Sequence, residues 1–183
     1  MKKITISILT ISFIGIVGFL IFKGQLQKEK TPSLKMEVDV SKVKGKRAVM
    51  IIAFRDFRDA EYFIPKEILE KAGVEIKTAS NKRGIAIGAD GGDTQVDLLV
   101  SEINPADFDA IIFVGGPGCL DALDNEDSYR VAREAVSQNK ILAAICISPV
   151  ILAKAGVLSG KRATVWTDFA KSQAKILEKE GAI

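Results

Sequence analysis

Short, uninterrupted apolar runs alternate with amphipathic segments over most of the chain from residue 46 onward. An apolar run of this kind, bounded by turn residues, is typical of a strand buried on both faces of a parallel sheet. Strands are predicted over residues 46–54, 74–79, 108–114, 141–145 and 161–166, with an inserted hairpin over residues 83–99. Helices are predicted over residues 59–73, 125–139, 147–155 and 169–180. Strands that alternate with helices through short loops predict an α/β fold with a doubly wound, mostly parallel sheet.

The beginning of the chain has a different pattern. Residues 4–22 contain no charged side chain, and as a helix they would be about 28 Å long, close to the thickness of a bilayer's hydrocarbon core. A cleaved signal peptide is the alternative, but no small-residue cleavage site follows the apolar run. We therefore expect a transmembrane helix as membrane anchor within residues 1–22, a lysine-rich tether over residues 23–45 and a folded domain over residues 46–183.

Lysines flank the apolar segment on both sides, so the positive-inside rule gives conflicting signals. Lys2 and Lys3 favour an amino terminus inside the cell, whereas Lys23 and Lys28 favour the opposite orientation. We expect a single-pass membrane protein whose soluble domain lies outside the cytoplasm.

Charge and residue usage exclude several functional classes. The net charge of +3 is small and the basic residues are dispersed, so no nucleic-acid partner is expected. Two cysteines, Cys119 and Cys146, are too few for a disulfide framework or a CxxC zinc site. The chain has no histidine, which rules out a Ser-His-Asp triad or a Cys-His dyad within one chain. No acidic cluster has metal-ligand spacing, and we expect neither a metal nor another cofactor.

One segment has the pattern of a nucleophile elbow, in which a strand turns sharply into a helix and lifts a reactive side chain above the sheet edge. The predicted strand 141–145 runs directly into Cys146, and a helix is predicted to follow. Two further motifs come after other predicted strands. They are Phe57-Arg-Asp-Ala-Glu61 and Gly115-Gly-Pro-Gly118.

In this order and separation, the three motifs resemble the ThiJ/PfpI family, also written DJ-1/PfpI, from about residue 46 to the end of the chain. The resemblance implies the flavodoxin-like fold of class I glutamine amidotransferases. It further implies that Cys146 is the nucleophile and that the Glu61 carboxyl hydrogen-bonds its sulfur. Backbone N–H groups of Gly115, Gly116 and Ile147 would bind an oxyanion or the substrate.

Physical chemistry is compatible with these roles. A thiol at the start of a helix is favoured as thiolate by the free N–H groups there. A neighbouring carboxyl helps only when it is protonated and donates, since a charged one repels the thiolate. For each residue a structural alternative stays open: Cys146 as an inert core residue, Glu61 as a surface carboxylate and the glycines as a tight turn. Cys119 is interpreted as a packed residue rather than a resolving thiol, and Trp166 as part of the core.

The chain departs from the family pattern at two places. Family members with peptidase or amidase activity commonly carry histidine directly after the cysteine, where this chain has Ile147. Because isoleucine cannot relay a proton, these activities are disfavoured. Family members usually continue beyond the point that corresponds to Ile183, so we expect the domain to be truncated at its C-terminus.

These observations favour a cysteine-dependent enzyme that acts on small electrophilic carbonyl compounds, glyoxalase- or deglycase-like, in stress protection. A redox sensor or binding module built on the same cysteine is the alternative, since an exposed thiol beside a carboxyl is readily oxidised. A catalytically silent domain is a third. The expected partners are the small substrate and, through residues 4–22, the lipid bilayer. The sequence leaves open whether the domain forms a homodimer.

The apolar segment leads to a prediction about the mature protein. Full-length protein should sediment with membranes, resist carbonate extraction and keep its original amino terminus in mass spectrometry, because residues 4–22 span the bilayer uncleaved. Recovery of a soluble form that begins between residues 24 and 46 would instead identify a cleaved signal peptide. Protease added outside intact cells should digest the domain if it faces outward.

Overall fold

The computed structural model describes residues 40–183, in which short strands alternate with helices. The strands are Arg47–Ile52 (β1), Arg55–Phe57 (β2), Glu75–Ser80 (β3), Gly84–Gly88 (β4), Asp93–Val96 (β5), Leu98–Leu99 (β6), Ala110–Phe113 (β7) and Ile141–Ala144 (β8). The α-helices are Asp59–Lys71 (α1), Cys119–Leu123 (α2), Glu126–Ser137 (α3), Pro149–Lys154 (α4) and Ser172–Lys179 (α5). Three single 3-10 turns add Val40–Lys42, Val100–Glu102 and Pro105–Asp107.

Five strands form the central sheet in the order β6-β3-β1-β7-β8, and every neighbouring pair is parallel. The chain passes from β1 to β3 on one side and later to β7 on the other. The strand order therefore reverses beside β1, and this is the place where doubly wound sheets form a crevice at the carboxyl ends of their strands. The predicted α/β class with a mostly parallel sheet is confirmed.

Both faces of β1 are buried, as its continuous apolar sequence predicts. Val49 and Ile51 face the side covered by α3 and α4, where they belong to the larger apolar core. Met50 and Ile52 face the opposite side and pack in a second cluster with Phe57 and Tyr62. Helices on both faces are what makes the sheet doubly wound.

The predicted hairpin is present as the antiparallel pair of β4 and β5, and β2 joins it to make a small second sheet. Tyr62 of α1 connects this small sheet with the central one. Its ring is fully buried, and its hydroxyl shares hydrogen bonds with Thr78 Oγ1 of β3 at 2.5 Å and Thr94 Oγ1 of β5 at 3.0 Å. Two side chains of α1 thus hold the hairpin: Tyr62 links it to the central sheet, and Asp59 accepts from N–H groups of its turn.

The prediction of a strand over residues 161–166 is wrong. Backbone N–H groups of this segment bond to the chain's last residues and to the loop after β8: Ala163 donates to Ile183 at 3.3 Å and Trp166 to Cys146 at 2.7 Å. The segment therefore does not extend the sheet. β8 has β7 as its single partner among the described strands, and Ile141 at this edge is 66% exposed.

Two helices begin two or three residues later than predicted. The helix after Cys146 begins only at Pro149, since residues 146–148 form a turn, and the last helix begins at Ser172. Within residues 40–183, no helix combines the length and the apolar character that crossing a membrane would require. The anchor predicted for residues 4–22 and most of the tether lie outside the described residues.

The buried hydroxyl of Tyr62 gives a prediction about stability. Tyr62→Phe should lower the free energy of unfolding by about 1–2 kcal/mol, because it leaves the buried Thr78 hydroxyl and the half-buried Thr94 hydroxyl without this partner. Urea unfolding of the full-length protein measures this loss. In a double-mutant cycle, adding Thr94→Val should cost less than the same change in the wild type. Strictly additive effects would contradict the shared hydrogen bond.

Candidate active site

Cys146 occupies a sharp turn between β8 and α4. Its φ of 63° lies in the left-handed region, which is uncommon for a residue with a side chain. The buried Ser148 stabilises the turn. Its Oγ accepts a hydrogen bond from the Ile145 N–H at 3.0 Å. The same hydroxyl donates toward Phe113 O at 2.9 Å and Ile145 O at 2.8 Å. The turn has the geometry of a nucleophile elbow, with the cysteine side chain half-buried at the sheet edge.

Glu61 and Gly115 converge on this turn. Glu61 lies in the first turn of α1, and its Oε2 accepts a hydrogen bond from the Gly115 N–H at 3.1 Å. A Cβ atom on residue 115 would lie 2.6 Å from Cys146 Cβ and 2.8 Å from Glu61 Oε2, closer than any real side chain tolerates. Glycine at this position therefore lets the Glu61 carboxyl and the Cys146 side chain lie close to each other.

Two backbone N–H groups, those of Gly116 and Ile147, act on the Cys146 thiol by lowering its pKa. Gly116 has a φ of 114°, and a Cβ there would lie 2.4 Å from Arg58 N and 2.5 Å from Asp56 O. The loop can therefore present this N–H only with glycine at the position. All the predicted site residues are brought together. Gly115 differs from the other two amide donors, because its N–H is already engaged by Glu61.

The environment of the Cys146 sulfur contains opposing influences. Burial and the negative charge of Glu61 raise the pKa of the thiol, while the N–H groups of Gly116 and Ile147 lower it, and the net direction is upward. The sequence led us to expect a helix terminus that favours the thiolate. That contribution is weak because α4 starts three residues later and is only 6 residues long.

Cys119 is a packed residue. It is the first residue of α2 and is 0% exposed. Burial is the main reason why the pKa of its thiol is raised to about 12. The charges of Cys146 and Glu61 act on it in the same direction. A thiol that stays protonated and inaccessible reacts slowly, so the two cysteines differ in kind.

A cavity of about 210 Å³ opens next to the elbow. Its lining consists of Arg58, Gly116, Pro117, Cys146, Ile147 and Trp166. Trp166 was expected in the core, but it is 54% exposed and forms one wall of the cavity, since its segment passes over the elbow instead of pairing with β8.

Arg58 is the residue that sequence reasoning missed. Its backbone N–H donates to Gly115 O at 3.1 Å, and its guanidinium Nη1 donates to Asp90 at 3.2 Å (Oδ1) and 3.4 Å (Oδ2). The sequence signal that could have indicated a role for Arg58 is its position directly before α1, three residues before Glu61. An arginine next to a helix is ordinarily a solvated surface residue, so the pattern alone does not reveal the cavity.

Within residues 40–183, no group of three or more cysteine, aspartate or glutamate side chains lies close enough together to ligate a metal ion. The chemistry available at the elbow is that of a thiol, a carboxyl and two amide donors around a small cavity. Such a set can add sulfur to a carbonyl carbon, hold the resulting oxyanion and move a proton.

Known proteins resemble this chain in sequence and in fold. The sequence model described as the DJ-1/PfpI family matches residues 46–182. An uncharacterized protein of Methanocaldococcus jannaschii is 38% identical over 77% of this chain and 68% of its own length. A deglycase of Pyrococcus abyssi is 39% identical over 63% of this chain and 70% of its own length. The crystal structure of a ThiJ/PfpI domain protein from Brachyspira murdochii superposes with a TM-score of 0.70 and 32% identity, covering 76% of this chain and 79% of that one.

The contact between Glu61 and Cys146 leads to a prediction about the thiol. Glu61→Gln keeps an N–H donor for the sulfur and removes the charge, whereas Glu61→Leu removes both. The pKa of Cys146 should therefore be higher in the leucine variant than in the glutamine variant, by about one unit. The rate of alkylation by iodoacetamide as a function of pH measures it.

Glu67→Gln is the matched control, because Glu67 is an exposed carboxylate of the same helix that pairs with Lys71. This variant should leave the titration of Cys146 unchanged. Identical titrations in the glutamine and leucine variants of Glu61 would show that its side chain does not contact the sulfur in solution.

Proposed function

The chain belongs to the DJ-1/PfpI family, and on that premise we propose that it is a cofactor-free, cysteine-dependent enzyme of the glyoxalase or deglycase type. The observation that carries the proposal is the convergence of three strand-end segments: Glu61 and Cys146 both lie against Gly115, and Cys146, Gly116 and Ile147 line one cavity. The relative from Pyrococcus abyssi is named a deglycase, which supports activity on carbonyl compounds.

In the proposed reaction the thiolate of Cys146 adds to the aldehyde carbon of a small dicarbonyl compound such as methylglyoxal. The carbonyl electron pair moves to oxygen, where the N–H groups of Gly116 and Ile147 stabilise the charge until the oxygen is protonated. Glu61 then takes the proton from the former aldehyde carbon and returns it to the neighbouring carbon, while the hydroxyl proton passes to the neighbouring oxygen, so that the hemithioacetal becomes a thioester. Water then cleaves the thioester, which releases lactate and regenerates the thiol of Cys146.

The size and walls of the cavity favour small substrates. A volume of about 210 Å³ accommodates a few non-hydrogen atoms beside the sulfur, and Pro117 and Trp166 give it apolar walls. Hydrolysis of a peptide bond also requires a group that protonates the departing amine. Histidine would do so in related amidases, and Ile147 cannot. Removal of reactive carbonyls would make the protein protective under stress, and the predicted anchor would hold this activity at a membrane.

The proposal predicts lactate formation from methylglyoxal by the full-length protein. Cys146→Ser should lower kcat/KM by about 10³-fold or more, because the nucleophile is lost. Glu61→Gln should lower it by about 10²–10⁴-fold through the missing proton transfer. Cys119→Ala is the matched control, and it should retain activity because Cys119 lies outside the cavity.

Activity that survives in Cys146→Ser would refute the proposed mechanism. If the wild type forms no lactate but takes up oxygen from hydrogen peroxide at Cys146 stoichiometrically, the same contacts would support the redox-sensor alternative. The closeness of the Glu61 carboxyl to Cys146 is the observation that favours this second function, because a carboxyl that donates a hydrogen bond stabilises an oxidised sulfur acid.

A further inference from the structure

The cavity beside Cys146 contains one side chain that the proposed chemistry does not use. Among its described lining residues, Arg58 is the single one that carries a permanent charge. The hydrogen bond from its backbone N–H to Gly115 O ties it to the loop that faces the sulfur. An arginine thus forms part of the wall of the pocket in which a substrate would meet the nucleophile.

The guanidinium is held in place while most of its donors stay available. It bonds to Asp90 through Nη1 alone, and within residues 40–183 neither Nε nor Nη2 has a hydrogen-bond partner. Asp90 is itself fixed, since its N–H donates to Asp59 Oδ2 at 2.8 Å, and the Gly92 N–H donates to Asp59 Oδ1 at 2.7 Å. The Asp90 side chain is 57% exposed, so solvent screens much of its charge.

From this arrangement we infer that Arg58 forms an anion subsite, so that the site prefers carbonyl compounds bearing a carboxylate over neutral ones of the same size. A guanidinium with two free neighbouring donors matches the two oxygens of a carboxylate. The reacting carbonyl would then lie at Cys146 and the carboxylate at Arg58. The preference for a substrate class rests on the proposed function, whereas the attraction of anions into the cavity does not.

Two alkylating reagents of nearly equal size test the inference. Iodoacetate carries a carboxylate and iodoacetamide a neutral amide, and both react with the same thiolate of Cys146. The ratio of their rates, normalised to free cysteine, therefore cancels any change in the fraction of thiolate. Arg58→Gln should lower this ratio roughly fivefold, and Arg58→Glu should lower it further. The wild-type ratio should also fall in about 1 M salt, which screens the attraction.

Arg55→Gln is the charge-matched control. Arg55 lies three residues earlier on β2, with its guanidinium 5.4 Å from the centre of the Phe54 ring, and it does not line the cavity. This variant loses the same net charge as Arg58→Gln, so its ratio should stay at the wild-type value. An equal decrease in both variants would mean that overall charge, and not a subsite, attracts the anion.

A second measurement does not depend on a reactive cysteine. Trp166 is the single tryptophan of the sequence and forms a wall of the same cavity. Its fluorescence should be quenched by iodide more strongly, relative to neutral acrylamide, in the wild type than in Arg58→Gln, by roughly twofold.

The outcomes separate the two proposals. If neither alkylating reagent labels Cys146, the proposed nucleophile is refuted, and the quenching ratio still decides on the anion subsite. If Arg58→Gln leaves both the alkylation ratio and the quenching ratio at their wild-type values, the subsite does not exist, whatever the activity toward methylglyoxal.

Discussion

The missing side chain at Gly115 allows three separate parts of the chain to meet at one point. This residue follows β7, Cys146 follows β8, and Glu61 lies in the first turn of α1, the helix that begins after β1 and β2. A methyl group at position 115 would overlap both Cys146 and Glu61. The parallel sheet sets the spacing of these strand ends, and the glycine lets their side chains close the remaining gap. The hydrogen bond from the Gly115 N–H then fixes the orientation of the carboxyl.

The same closeness sets the electrostatics of the thiol. Because the carboxyl lies against the sulfur, its protonation state decides whether it repels the thiolate or donates to it. Burial and the charge of Glu61 raise the pKa of Cys146, and only two backbone N–H groups oppose them. The reactivity of this cysteine therefore depends on burial and on the adjacent carboxyl more than on the short helix that follows. A substrate that excludes water from the cavity would strengthen every one of these interactions.

The sequence was sufficient for the parts of the structure that rest on regular patterns. Continuous apolar strands such as β1 and the alternating segment around β4 and β5 have characteristic periods, and the strand ends carry the glycine and cysteine motifs. The segment 161–166 has a strand-like composition, but its N–H groups find partners at Cys146 and Ile183, which no local pattern encodes. Arg58 and Trp166 enter the cavity through long-range contacts, so their position depends on the complete fold. The weak influence of α4 on the pKa of Cys146 likewise follows from the start of this helix at Pro149, two residues later than the sequence pattern predicts.

The backbone of Cys146 has one more consequence. A left-handed conformation costs a residue with a side chain of order 1 kcal/mol, and glycine would adopt it without that cost. The same backbone angle occurs at Asp56, Asn139 and Lys171, so the fold tolerates this cost at several turns. At Cys146 the cost gives the sulfur a position at the edge of the sheet that a regular strand or helix would not provide.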